Sequence, residues 1–336
     1  MNYELMHPAD QLVTIMERIY GYGMTTTSGG NLSILDDNGD IWITPAGIDK
    51  GSLTRDDIIR VTPGGEIIGK HRPSSEWPFH SILYKRRPDI KAVLHAHPPA
   101  LLSFSIVRKI PNTRLIPNAD IICGDIKMAD YEVPGSDQLG ENIAKAFDTG
   151  VNTVMLENHG VVIGHKDLFS AFMSFETLDF CGRLEINASR IGRPVPLDEH
   201  KIEVSRSKNH AEFNEFVIKR YSSEEREARA KMCRLISRSY NQRLFTSTQG
   251  TFSERLSDGS FIITPYGIDR KYIEPADIVR IENGMKEYGK YPSRSAPLHN
   301  EIYRRNPEIN SLIIAHPPNI MAFAVSDAYF NSRIIP

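Results

Sequence analysis

The stretch "PSSEWPFHSILYKRRPDIKAVLHAHPP" at 73–99 returns as "PSRSAPLHNEIYRRNPEINSLIIAHPP" at 292–318, a shift of 219 residues. Upstream the repetition continues at a shift of 220. There "IWITPAGIDKGSLTRDDIIRV" at 41–61 faces "FIITPYGIDRKYIEPADIVRI" at 261–281, and "SGGNLS" at 28–33 faces "TQGTFS" at 248–253. A period this long is a duplicated domain rather than a solenoid repeat. The first copy is expected over 1–195 and the second over 222–336, with a linker over 196–221 inside a polar stretch that includes "RPVPLDEHKIEVSRSKNH". The second copy has reached the equivalent of Pro117 when the sequence stops at Pro336.

Within the first copy, short apolar runs alternate with helical patterns. Leu12, Ile15, Met16 and Ile19 recur at helical spacing over 10–23. The Asp37-Asn38-Gly39 turn between alternating runs predicts a hairpin. A helix starting on Ser74 and Ser75 is followed by the strand "KAVLHAH"; then come a helix at 136–148, two strands around "ENHG", and a long helix from 167 to 192. Hairpins mixed with helices predict an α/β domain whose mixed or antiparallel sheet is covered by helices.

Lys and Arg number 40 against 42 Asp and Glu, a net charge of −2 that gives no global attraction to nucleic acid or anionic membrane. No run approaches the ~18 apolar residues of a membrane span. The first residues lack the basic and apolar regions of a secretory signal, so a cytoplasmic location is expected. Cys123, Cys181 and Cys233 are odd in number and far apart, which fits a reducing compartment better than a disulfide framework.

His95 and His97 end an apolar run two residues apart. Residues i and i+2 of a strand project from one face, so both imidazoles can reach a single metal ion. His159, in the turn of "LENHGVVIG", offers a third ligand, with Gly160 expected to permit the sharp backbone. Three histidines with an open position form a known catalytic zinc arrangement. Ser74 and Ser75, at a helix start, could cap the helix or hold an anion on free backbone N–H groups. Glu76 follows in the first turn, where a carboxylate also stabilises a helix. Gly29, Gly30 and Gly47 allow close approach of a ligand to the backbone, with Ser28 and Asn31 adding side-chain hydrogen-bonding groups.

The order SGGN, TPxG, PSSE, HxHP and NHG resembles the class II aldolase/adducin family over essentially all of the first copy. The resemblance implies a three-layer α/β/α sandwich with a mixed, mainly antiparallel sheet. It further implies one zinc ion on His95, His97 and His159, a catalytic Glu76, and a phosphate pocket of Ser28, Gly30, Asn31, Gly47, Ser74 and Ser75. The implied activity is that of an aldolase, a lyase that cleaves a phosphorylated ketose or sugar acid in retro-aldol fashion. Zinc would act as Lewis acid for the enediolate, and Glu76 would move the proton. Same-fold alternatives are a dehydratase, a decarboxylase or an epimerase, and a non-enzymatic adducin-like protein is a further one. Two departures stand out: Ala46 occupies a place where relatives often carry a hydroxyl, and Asn118 lies near the place of the family's inter-subunit tyrosine.

The second copy has Thr251 for Asn31, Arg294 for Ser75, Ser295 for Glu76 and Ile314 for His95, while its apolar runs persist. It is therefore expected to fold without performing the chemistry. Small phosphorylated sugars are the expected partners, in a homo-oligomer where the second copy takes the place of a neighbouring subunit.

Overall fold

The computed structural model describes residues 3–207 and 211–334. Those up to Arg206 and from Val325 onward form one compact unit, and Ser207 to Ala324 form the other. The first unit contains helices α1 (Pro8–Gly21), α2 (Trp77–Arg86), α3 (Pro99–Ile106), α4 (Pro117–Cys123), α5 (Asp137–Phe147), α6 (Leu168–Ile191) and α7 (Glu199–Arg206). Its strands are β1 (Asn31–Leu35), β2 (Ile41–Ile43), β3 (Ile59–Val61), β4 (Ile67–Ile68), β5 (Ala92–Ala96), β6 (Ile126–Ala129), β7 (Thr153–Leu156) and β8 (Gly160–His165). They form one sheet in the order β4-β3-β2-β1-β5-β8-β7-β6. Among the described residues of this sheet, only β6 and β7 pair in parallel.

Alternation along the strands divides the core into two layers. Ala92, Leu94, Ala96, Met155, Val161 and Ile163 face a cluster built with α1, α3, α4 and α6. Val93, Val154, Leu156 and Val162 face the opposite cluster, which contains Phe79, Leu83 and Tyr84 of α2 and Leu139, Ile143 and Phe147 of α5. The period-2 rule therefore sends odd-numbered residues of β5, His95 among them, toward α2. The result is the three-layer α/β/α arrangement with a mainly antiparallel sheet.

Two boundaries differ from the sequence expectation. The helix expected to start on Ser74 and Ser75 begins at Trp77, with Glu76 at its N-cap. Pro78, with its fixed φ, suits the first turn. The expected linker contains α7, whose Arg206 pairs with Asp120 of α4 at 2.7 Å. Lys208, Asn209, His210 and Pro336 lie outside the described residues.

The second unit contains α8 (Ser223–Asn241), α9 (Ala296–Arg305) and α10 (Pro318–Ala324). Strands β9 (Glu215–Phe216), β10 (Thr251–Arg255), β11 (Phe261–Ile263), β12 (Val279–Glu282), β13 (Met285–Glu287) and β14 (Ser311–Ile314) form a sheet in the order β14-β10-β11-β12-β13-β9. Thr251 pairs with Ile314 just as Asn31 pairs with His95, so the two repeats share their register. No helix among the described residues is long and apolar enough to cross a membrane. All three cysteines are buried and free.

Candidate metal and catalytic site

Strand register assembles the site. His95 stands on β5 between Asn31 of β1 and Val162 of β8. His97 follows just past the strand end, and His159 occupies the turn between β7 and β8. The sharp backbone there falls on Asn158, with φ +56°, not on Gly160. Gly160 is needed for space instead: a Cβ on it would lie 2.6 Å from the Ala96 carbonyl oxygen and 2.8 Å from His97 Cδ2.

The three imidazoles converge, with ligand atoms all within 4.8 Å of one another. His95 Nδ1 donates to the Val161 carbonyl at 3.0 Å, which turns Nε2 toward the cluster. Glu76 reaches the same point. Its Oε2 lies 3.2 Å from His95 Nε2 and its Oε1 3.5 Å from His159 Nε2. The carboxylate makes no capping bond to its own helix, so helix-start stabilisation does not explain its placement.

The electrostatics follow from burial and charge. Burial opposes ionisation of Glu76, but the neighbouring His95 outweighs it and holds the carboxyl well below the usual range. Burial likewise opposes a charge on His95, and Glu76 more than offsets it. Burial pushes His97 down to about 3 and His159 to about 4, with the charge of His95 adding to both. Neutral His97 and His159 beside an ionised carboxylate are suited to bind a cation. His95 Nε2, His97 Nε2, His159 Nδ1 and Glu76 Oε1 are buried without a hydrogen-bond partner. Buried polar atoms are rarely left unmet, and a divalent metal fits this donor set.

The expected phosphate residues lie nearby. Ala46 N–H donates to the Arg72 carbonyl at 3.0 Å and Ser74 N–H to the Thr44 carbonyl at 3.2 Å, which brings the TPxG turn beside the PSSE segment. Ser28, Gly47 and Ser75 are exposed, while Gly30, Asn31 and Ser74 are buried. Gly30, at φ +74°, is required by both conformation and space, since a Cβ would lie 2.9 Å from the His95 carbonyl oxygen. The Asn31 amide is largely committed elsewhere: Nδ2 donates to Glu76 Oε2 at 2.8 Å, and Oδ1 lies 2.5 Å from His80 Nε2.

Sequence reading missed His80, Ser33 and Tyr84. Ser33 Oγ lies 2.7 Å from both His80 Nδ1 and Tyr84 Oη. The signal was present: Asn31 and Ser33 are an i, i+2 pair on a strand, and His80 and Tyr84 an i, i+4 pair on a helix.

The second repeat lacks this convergence. Thr251, Ser295 and Ile314 replace Asn31, Glu76 and His95, and Gln249 replaces Gly29. Among the described residues the first-repeat triad is the one histidine, cysteine or carboxylate group placed to hold a metal.

A 5-deoxy-D-ribulose 1-phosphate aldolase of Bacillus thuringiensis is 30% identical over 204 residues, covering 59% of this chain and 93% of that protein. A 3-oxo-tetronate 4-phosphate decarboxylase of Pectobacterium atrosepticum is 31% identical over 178 residues, covering 52% and 81%. The solved structure of an L-fuculose 1-phosphate aldolase superposes with a TM-score of 0.53 at 30% identity, covering 61% of this chain and 95% of that one. The family described as Class II Aldolase and Adducin N-terminal domain matches residues 10–186 and again 230–334. The chain thus belongs to the class II aldolase and adducin family, whose domain it carries in two copies.

Proposed function

We propose that the first repeat, 1–195, is a zinc-dependent lyase that breaks a carbon–carbon bond in a small phosphorylated ketose or sugar acid by a retro-aldol reaction. The second, 222–336, is a copy that has kept its fold and lost this chemistry. The observation that carries the reading is the convergence of His95, His97 and His159, with ligand atoms within 4.8 Å of one another, and of Glu76, 3.2 Å from His95 and 3.5 Å from His159.

His95, His97 and His159 would hold the metal. When bound, it supplies a Lewis acid that stabilises negative charge developing on substrate oxygens. Glu76 Oε2 is held by Asn31, which leaves Oε1 to accept a proton as the bond breaks and return one to the product. Ser28, Gly30, Asn31, Gly47, Ser74 and Ser75 would anchor the phosphate and keep the substrate in register.

Decarboxylation of a phosphorylated 3-oxo sugar acid is the second reading, supported by similarity to a decarboxylase at 31% identity. Both reactions place negative charge on the same kind of oxygen. The test is a panel of phosphorylated ketoses and 3-oxo acids given to the zinc-loaded full chain, with aldehyde and carbon dioxide measured separately. Aldehyde release supports the aldolase and carbon dioxide the decarboxylase. Neither product from any substrate would overturn the enzyme reading. Glu76→Gln should lower turnover by ~10²–10⁴ with zinc retained; unchanged turnover would remove Glu76 from the mechanism.

A further inference from the structure

We infer that Tyr84, Ser33, His80 and Asn31 form a one-directional chain of hydrogen-bond donors that orients Glu76, and that His80 is a positioning residue of the site. This rests on the reading of Glu76 as the group that moves the proton.

The direction follows from the acceptor at its end. Asn31 Nδ2 donates to the carboxylate oxygen Glu76 Oε2 at 2.8 Å. Its Oδ1 then faces His80 Nε2 at 2.5 Å, and the imidazole must donate from that nitrogen. His80 is fully buried, and burial pushes its pKa down to about 3, so the ring is neutral and Nδ1 carries a lone pair. Ser33 Oγ donates to it at 2.7 Å and accepts from Tyr84 Oη at 2.7 Å. Every donor in the chain points toward Glu76. Hydrogen bonds aligned in this way polarise one another in a low-dielectric interior.

The second repeat separates the structural half of this chain from the functional half. Ser253 Oγ lies 2.7 Å from His299 Nδ1 and 2.7 Å from Tyr303 Oη, the same geometry as in the first repeat. Beyond the histidine it stops. Thr251 replaces Asn31 and turns its hydroxyl to Ser293 Oγ at 2.7 Å, while His299 Nε2 is buried with no partner. The Nδ1 side of the imidazole therefore serves packing in both repeats. The Nε2 side has a task only where a glutamate follows.

Two substitutions distinguish the two sides of the ring. In His80→Gln the side-chain amide can reach the Nε2 position and donate to Asn31. In His80→Asn it reaches only the Nδ1 position and leaves Asn31 Oδ1 unheld. With the substrate found by the panel, His80→Asn should lower kcat by ~10–10²-fold, with KM within about 2-fold and zinc content unchanged, as for second-layer supports of metal sites. His80→Gln should restore most of the loss. Equal kcat in both variants, or wild-type kcat in His80→Asn, would overturn the chain. If His80→Asn does not fold, Asn31→Thr copies a residue already present at the equivalent place in the second repeat. The chain requires its loss to appear in kcat, whereas a loss confined to KM would assign Asn31 to phosphate binding alone. Without substrate, nitrogen NMR of the wild-type imidazole should show the Nε2–H tautomer; an Nδ1–H tautomer contradicts the donor order. Loss of turnover in Glu76→Gln but not in His80→Asn would sink this inference alone. Full turnover in Glu76→Gln would sink the reading beneath it.

Discussion

Gly29 and His97 are fitted to each other: a Cβ on Gly29 would lie 2.8 Å from His97 Nδ1 and 2.7 Å from Thr26 Oγ1. The equivalent of Gly29 in the second repeat is Gln249, buried, with both amide atoms unmet. The bare glycine backbone thus leaves room for the His97 ring in its observed position, although the second repeat keeps a histidine, His316, at the place of His97.

Gly29→Ala should therefore displace the His97 ring without unfolding the unit. Zinc affinity, measured by competition with a coloured chelator, is expected to fall ~10-fold or more, the range found when support of a ligand is lost. Wild-type affinity would show that the ring has room to yield.

The second unit has its own test of structural integrity. Arg229 Nη2 lies 2.6 Å from Glu225 Oε1 and 2.8 Å from Glu287 Oε2, and Arg280 Nη1 lies 2.9 Å from Glu225 Oε2. Glu225 and Arg229 are almost wholly buried. Arg229→Met strands buried carboxylates, and urea unfolding should report a loss of about 3–5 kcal/mol. A loss below about 1 kcal/mol would mean that Arg280 and the surrounding backbone suffice.

Burial pushes His299 down to about 4 from its ordinary value near 6.5. Below pH 6.5 the unfolded chain takes up a proton that the folded imidazole refuses. This contribution is therefore fully present above pH 6.5 and is lost as the pH falls toward 4, by up to ~1.4 kcal/mol per pH unit. Comparing wild type with His299→Gln by urea unfolding at pH 5 and pH 7 isolates it. The variant should show the flatter dependence, and equal slopes would contradict a neutral buried His299.

Much of this was legible in the sequence. The strand bearing His95, the hairpin turn at Gly39 and the helix after Asp167 follow from apolar period, turn chemistry and capping. The caps at Ser136 and Asp167 accept from Leu139 N–H and Ser170 N–H as such residues should. α3 was not legible, because "PALLSFSI" is apolar all round and has no period to read. α4 is too short, at seven residues, to leave a pattern. In the site, the i, i+2 spacing pointed to His95 and His97, although β5 ends at Ala96, one residue before His97. Facing pairs on two elements, such as Ser33 against His80, require a register that no local pattern supplies.

The central claim is that one repeat holds a metal and the other does not, and metal counting tests it most directly. Full-length protein saturated with zinc, freed of excess and measured by elemental analysis should carry one zinc per chain. The count should fall close to zero in His97→Ala and stay at one in His316→Ala, the same change at the equivalent place of the second repeat. Two zinc ions per chain, or an unchanged count in His97→Ala, would contradict the account.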